Sequence, residues 1–318
     1  MQSDVFDRLD RQVAHALQID ARAPFSRIAA VLGVSDQTVA RRYARLRSTG
    51  ALRVRGLTDP YLHDSAPWFL RLRCAPAAAA PIAKALARRD DTAWIRLTSG
   101  GAEVTGMVAG HGGTGETLLL DTLPRTSKVE GVTAHYLLHT FGRGLHRLIA
   151  AHSGLTGEQI RALRPAETTS DPHVVTIDDG DRALLRELAQ DGRLGSAALA
   201  AATGRSSAAV RRRIPELIVS GAVYFDVEVD SRLFPATATW TLLWLSVAPA
   251  ALETVGAALA RHPEVGYAAA TTGPTNIYAA VACANRPALY DYLTGQVARL
   301  SGIRHLETAP VQRNIKGN

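Results

Sequence analysis

The 318-residue chain has little of several things, and each scarcity excludes a class. It holds two cysteines, Cys74 and Cys283, each in an apolar run, with no C-x-x-C spacing and no Cys/His cluster. A disulfide scaffold and the common zinc folds are therefore excluded, and both thiols are expected as buried free side chains. No apolar run approaches the roughly 20 residues that cross a bilayer. The opening "MQSDVFDRLD" is charged, without a signal-like apolar core, so a cytoplasmic protein is expected. No G-x-S-x-G elbow is present, and the ten histidines form no HExxH and a single H-x₃-H, His135 with His139. His135 and His139 fall four apart in a predicted strand, about 13 Å from each other at strand rise. These absences predict no metal, no cofactor and no enzyme.

Lysine is also scarce. Of 36 basic residues, three are lysine (Lys84, Lys128, Lys316) and 33 are arginine. The net charge is +7 and the pI about 9.8. Planar guanidinium forks suit phosphate and guanine, although a charge of this size alone says little about nucleic acid.

What is abundant is self-similarity. "GVSDQTVARRYARLRSTG" (33–50) and "GRSSAAVRRRIPELIVSG" (204–221) have equal length, bracketing glycines and an arginine cluster, 171 residues apart. At that offset Asp10, Arg11, Leu17, Asp20, Arg22, Gly33, Ser35, Val39, Arg41, Arg42, Leu46 and Gly50 all fall on identical residues. The next region repeats at an offset of 173, where "LRCAP" (72–76) meets "LSVAP" (245–249) and Trp94 meets Tyr267. A gap near 115–120 is then expected to restore 171, so that Gly131 meets Gly302.

The first repeated region reads as three helices. Residues 5–18 carry a helical period, a short helix covers about 25–32 and ends at Gly33, and Ser35 caps a third helix that Gly50 stops. Val39, Tyr43 and Leu46 should face the core. The rest of helix three is polar and basic, which makes a helix-turn-helix with a DNA-reading third helix. Asp36, Gln37 and Thr38 are expected near base edges, and Arg41, Arg42 and Arg45 at base edges or phosphates. "ALRVRG" (51–56) follows like a basic wing. In the second copy the candidates are Ser207, Arg211, Arg212 and Arg213. There Glu216 replaces Arg45, Pro215 should kink the helix, and the following strand is acidic. The first module should bind DNA more strongly.

The second repeated region reads β-α-β-β-α-β in both copies, a ferredoxin-like unit. The predicted domains are a helix-turn-helix over 1–60, a ferredoxin-like domain over 66–142, a linker over 143–174, a helix-turn-helix over 175–231 and a ferredoxin-like domain over 236–315. In the linker, Thr156 and Gln159 read as a capping box, and the stretch 165–173 is expected to be mobile. "GHGGTG" (110–115) matches a dinucleotide fingerprint, but its counterpart "CANRPA" has no glycine, so a loop is expected.

This order of motifs resembles the Lrp/AsnC feast/famine regulators. "LDRQVAHALQIDARAPFSRIAAVLGVSDQTVARRYARLRSTGAL" (9–52) is similar to that family's helix-turn-helix almost throughout. The resemblance implies an α+β fold: two tandem copies of a winged helix-turn-helix followed by a ferredoxin-like (βαββαβ) ligand-binding and dimerisation domain. It implies a sequence-specific DNA-binding transcriptional regulator, modulated by an amino acid or related small molecule, whose partners are double-stranded DNA and at least one further copy of the chain. The family's glycine–x–x–aspartate turn falls on Gly100–Glu103 and Gly273–Asn276, and neither copy has the aspartate. Thr98, Gly100, Glu103, Thr271, Gly273 and Asn276 are the implied effector residues. Siroheme decarboxylases share this architecture, so an enzyme is the rival reading. They carry a histidine- and aromatic-rich segment that "GGAEVTGMVAGHGG" and "GPTNIYAAVACANR" lack. A DNA-silent sensor is the other alternative.

Overall fold

The computed structural model describes residues 6–58, 67–75, 77–89, 91–108, 114–143, 149–150, 152–165 and 175–317. Helices α1 (Arg8–Ile19), α2 (Phe25–Leu32) and α3 (Asp36–Ser48) lead into β1 (Leu52–Thr58). Then come β2 (Trp68–Cys74), α4 (Ala79–Ala87), β3 (Thr92–Thr98), β4 (Glu103–Val108), the short α5 (Thr114–Thr117) and β5 (Val129–Arg143). After α6 (Gly157–Leu163) the order recurs as α7 (Asp179–Gln190), α8 (Ser196–Thr203), α9 (Ser207–Val219) and β6 (Val223–Val229). The chain ends with β7 (Thr239–Val247), α10 (Leu252–Leu259), β8 (Val265–Thr271), β9 (Ile277–Cys283), α11 (Arg286–Gly295) and β10 (Ile303–Asn314). Two compact units result: Met1–Leu62 with Ile149–Phe234, and His63–Leu148 with Pro235–Asn318.

The first unit holds both helix-turn-helix repeats. Each begins with an Asp-x-x-Asp capping box, Asp7 with Asp10 and Asp178 with Asp181. In each, a glycine in the left-handed region (Gly33, Gly204) makes the tight turn that L side chains resist. Ser35 and Ser206 then cap the third helix through the amide three residues on. Val39, Tyr43 and Leu46 are buried, as are Val210, Ile214 and Leu217. Helix α9 continues past Pro215 for another turn, anchored by Ile214 and Leu217. The expected capping box of α6 is present, and α6 is packed rather than free: Gln159 donates to the Val31 carbonyl and Arg27 to that of Ala162. The rest of the run expected to be mobile, 166–173, lies outside the described residues.

A reciprocal arginine clasp joins the two repeats. Arg22 donates to the carbonyls of Gly192 and Leu194, while its equivalent Arg193 donates to those of Ala21 and Ala23. Arg193 also lies over the Phe25 ring at 4.6 Å. Desolvation by burial lowers the pKa of both guanidinium groups.

In the second unit each repeat forms a four-stranded antiparallel sheet, β3-β4-β2-β5 and β8-β9-β7-β10. The long last strand of each repeat runs on to pair with the other sheet, β5 with β8 and β10 with β3, which closes an eight-stranded barrel. Helices cover the outside over Leu70, Leu72, Ile95 and Val104 in one repeat and over Leu243, Leu245, Ile277 and Val281 in the other. The inside is filled by Phe69, Leu137, Leu242, Trp244 and Tyr278.

Strand register corrects the expected alignment. Arg71 pairs with Thr133 as Trp244 pairs with Glu307, so the last strands match at an offset of 174. Gly131 therefore meets His305, not Gly302. The second helix of the first β-α-β-β-α-β unit is only α5 followed by a wide π turn, Leu118–Thr122. Gly115, the nearby threonines and Pro124 are poor helix formers.

Replacing Arg193 by alanine leaves the Ala21 and Ala23 carbonyls without this donor. A loss of about 1–3 kcal/mol is expected, read as a lower urea midpoint, with lysine recovering little because it lacks the planar fork. An unchanged midpoint would show that the clasp does not hold the repeats together.

Candidate functional site

The six residues of the first recognition helix separate into two sets. Asp36, Gln37 and Arg41 are exposed, and Arg41 makes no ion pair among the described residues. Thr38 is half-buried, its hydroxyl 2.9 Å from that of Ser35. Arg42 is drawn inward to Asp7 at 2.6 Å and Asp10 at 3.2 Å. Arg45 lies 3.5 Å from Asp10 and over the Phe6 ring. The cause is Asp10, which is fully buried and must have a counter-charge. Burial alone would lower the Arg42 pKa, yet hydrogen bonds and charge from the two carboxylates hold it raised.

The second copy repeats this. Arg213 binds Asp181 at 2.7 Å and Glu216 at 2.9 Å, and Arg205 binds Asp178 and Asp181. The Asp181 hydrogen bond raises the Arg213 pKa most. For Asp181, burial pushes upward, but Arg213, the Asp178 amide and Arg205 hold the carboxyl below its ordinary value. Arg211 is exposed and makes no ion pair among the described residues, Arg212 is exposed with Glu216 at 3.8 Å, and Ser207 is half-buried. The sequence reading passed over Arg47, which reaches Asp191 of the other repeat at 2.9 Å.

The strand expected as a basic wing pairs with its acidic counterpart. β1 and β6 form an antiparallel ribbon with Arg55 opposite Asp226 and Arg53 opposite Glu228. The change of sign between the two copies is thus a cross-strand complement.

The effector candidates sit at two equivalent turns. Glu103 is buried; it accepts from Arg71 at 2.9 Å, Thr98 at 3.0 Å and Ser99 at 3.1 Å. Gly100 turns with φ +75°. In the other repeat, Asn276 accepts from the Val247 amide and donates to the Val247 carbonyl, both at 2.8 Å. Thr271 is buried and its hydroxyl lies 3.3 Å from the Thr275 carbonyl. Gly273 leaves room for His135, which a β-carbon would crowd. Thr98 and Glu103 are joined directly, whereas Asn276 is spent on the backbone of β7.

The barrel interior carries a polar group that sequence reading missed. Arg71 bridges Glu103 of its own repeat and Glu307 of the other at 2.5 Å, and lies 4.8 Å from the centroid of Trp244. The bonds from Arg71 lower the Glu307 pKa. His135 also lies against this indole, its ring 4.9 Å from that of Trp244, with Nδ1 2.7 Å from the Thr272 carbonyl. His135 Nε2, Trp244 Nε1 and Thr105 Oγ1 are buried without hydrogen-bond partners among the described residues. A cavity of about 10 Å³, no larger than a single water, is lined by Trp94, Thr105, Trp244 and Tyr278. Among the described residues, no group of three His, Cys, Asp or Glu side chains is able to hold a metal, and no helix is long and apolar enough to cross a membrane. "GHGGTG" falls largely outside the described residues.

Comparison with known proteins covers both units. The AsnC-type helix-turn-helix domain matches residues 6–47 and again 177–218, and the Lrp/AsnC ligand binding domain matches 241–318, together about half of the chain. Uncharacterized HTH-type transcriptional regulators of Pyrococcus abyssi and Pyrococcus horikoshii are 27% and 25% identical over 135 residues, which is 42% of this chain and 85% of each relative. The solved siroheme decarboxylase NirDL superposes over 98% of this chain and 93% of its own, with a TM-score of 0.63 at 10% identity. That likeness concerns the fold, and it overturns the expectation that the chain is no enzyme: the same duplicated architecture carries catalysis elsewhere. The supporting reason also fails. The two segments lack a histidine–aromatic cluster, yet His135, Trp244, Phe69 and Tyr278 converge from four strands.

Desolvation lowers the pKa of His135 below its ordinary 6.5, with Arg71 adding to the shift while the Thr272 carbonyl and Glu307 oppose it. The unfolded chain therefore takes up this proton first. The stability linked to neutral His135 is complete above about pH 6.5 and is lost as the pH falls below it. His135→Phe should flatten the fall in thermal midpoint between pH 7 and 5. An unchanged slope would assign the fall to other groups.

Proposed function

The chain belongs to the Lrp/AsnC family of transcriptional regulators, as a tandem-duplicated form, and on that premise we propose that it is a sequence-specific DNA-binding regulator. The observation that carries the proposal is the free face of α3. Gln37, Arg41, Ala44 and Ser48 follow one another at helical spacing on its exposed side, with Asp36 at its start. Arg41 takes the leading DNA-contact role, with Asp36 and Gln37 near base edges. Arg42 and Arg45 act mainly by holding α1 and α3 together. The equivalent positions of α9 are Ala208, Arg212, Pro215 and Val219, with Arg211 and Ile218 exposed beside them, and this face is less polar. It is assigned the weaker, largely phosphate-binding half, so the two half-sites of the operator differ. An amino acid or related small molecule is the proposed effector of the barrel unit. There Glu103 and Asn276 shape the turns, since their polar atoms are already engaged. Assembly of two or more chains and a place in the cytoplasm belong to the same proposal.

A second reading, catalysis, is favoured by the extent of the NirDL likeness. NirDL is also known in complex with an iron-uroporphyrin III analogue. A tetrapyrrole would have to open the water-sized cavity or bind outside it. A saturable Soret shift with iron-uroporphyrin at one equivalent per chain, without DNA retention, would favour this reading.

The regulator reading is tested with Arg41→Ala and Arg42→Ala. Arg41→Ala should weaken DNA binding, lower the slope of log K against log salt by about one, and leave the thermal midpoint unchanged. Arg42→Ala should lower the midpoint, because Asp10 stays buried with less counter-charge. DNA retention that is absent at low salt, or unaltered by Arg41→Ala, would remove the assignment.

A further inference from the structure

Equivalent positions of the two repeats meet each other, and there they differ in complementary ways. Arg55 and Asp226 are equivalent at the 171-residue offset and also stand directly opposite in the β1–β6 ribbon. The local pseudo-twofold axis therefore passes between them. Arg71 and Trp244 are equivalent and in contact, and Glu307, which binds Arg71, is equivalent to Thr133. At the barrel joins, Phe141 of the first repeat packs into the core of the second, and its equivalent Ile315 packs into the core of the first. Phe141 lies over Gly256, where a β-carbon would overlap its ring, while the position equivalent to Gly256 is the buried Ala83.

Each site can be compared with a symmetric pairing of one repeat with its own copy. Two first repeats would set Arg55 against Arg55, bring Arg71 onto Arg71 without Glu307, and drive Phe141 into the β-carbon of Ala83. Two second repeats would set Asp226 against Asp226, leave the half-exposed Glu307 without its guanidinium, and leave Ile315 over Gly256 with a void. Like charges directly opposite, unpaired buried charges, overpacking and cavities all disfavour such pairings. We infer that the two repeats are mutually exclusive partners, each built to pair with the other and against pairing with itself. A chain thus completes its pairing internally, and any larger assembly uses surfaces other than these joins. This holds whether the chain reads DNA or catalyses.

Single substitutions in the full chain install self-pair contacts one at a time. Arg55→Asp gives the Asp/Asp contact and Asp226→Arg the Arg/Arg contact. Gly256→Ala gives Phe-on-Ala and Phe141→Ile gives Ile-on-Gly. Each should lower the thermal midpoint, by roughly 5 °C for the larger effects. The reversed pair Arg55→Asp with Asp226→Arg should recover most of its loss. So should Phe141→Ile with Gly256→Ala, which copies the packing of the other join. Recovery in both cycles supports the inference, and additive losses in both overturn it. Should Gly256→Ala fail to fold, the charge cycle alone decides, additivity there being fatal.

Discussion

The exchange of last strands is the constraint from which the barrel follows. A four-stranded sheet leaves two open edges, each a row of unpaired backbone donors and acceptors. β5 spans 15 residues and β10 spans 12, against six or seven for β2, β3 and β4. The added length pairs with the edge strand of the other repeat, so both open edges close at once. Closure also fixes what must lie inside. Two inner faces meet across the barrel, and Phe69, Trp244 and Tyr278 fill most of the space between them. The Arg71 guanidinium enters this interior with its charge matched by Glu103 and Glu307.

In the helical unit, buried carboxylates decide which arginines remain available. Asp10 and Asp181 serve as N-terminal caps and as buried anions, and each draws arginines out of the recognition helix or the turn before it. Arginine density is therefore a poor measure of DNA-facing charge. Of the cluster Arg41, Arg42, Arg45 and Arg47, only Arg41 points to solvent without an acidic partner among the described residues. The ribbon acts the same way: the first strand's positive charge faces the second strand's acids.

Local chemistry was legible in the sequence. Glycine at the tight turn, serine at the cap, the Thr156–Gln159 box and the apolar period of α3 are short-range signals, and each formed where it was read. The βαββαβ order followed from similar signals. Long-range pairing was not legible. Nothing near Arg71 in sequence points to Glu307, and nothing near His135 points to Trp244, because closure of the barrel sets side chains of non-neighbouring strands against each other. The offset of 174 escaped for a related reason: a glycine identity outweighed the register of a strand whose preceding helix had shrunk. A cluster missing from each of two segments is not thereby missing from the fold, because a barrel gathers side chains from several strands.

Duplication within one chain removes a restriction that binds every twofold dimer. There, any residue near the axis meets its own copy, so an arginine at position 71 would face an arginine and an aspartate at 226 an aspartate. Fusion lets each member of such a pair change alone, and a charge then finds its complement where symmetry would have given repulsion. The same freedom reaches the exposed helices. Arg47 becomes a brace to Asp191, while its equivalent, Ile218, is an exposed apolar side chain. One repeat thereby keeps a polar face on its recognition helix while the other loses polarity there. Interior and surface have departed from symmetry together because a single covalent link released both.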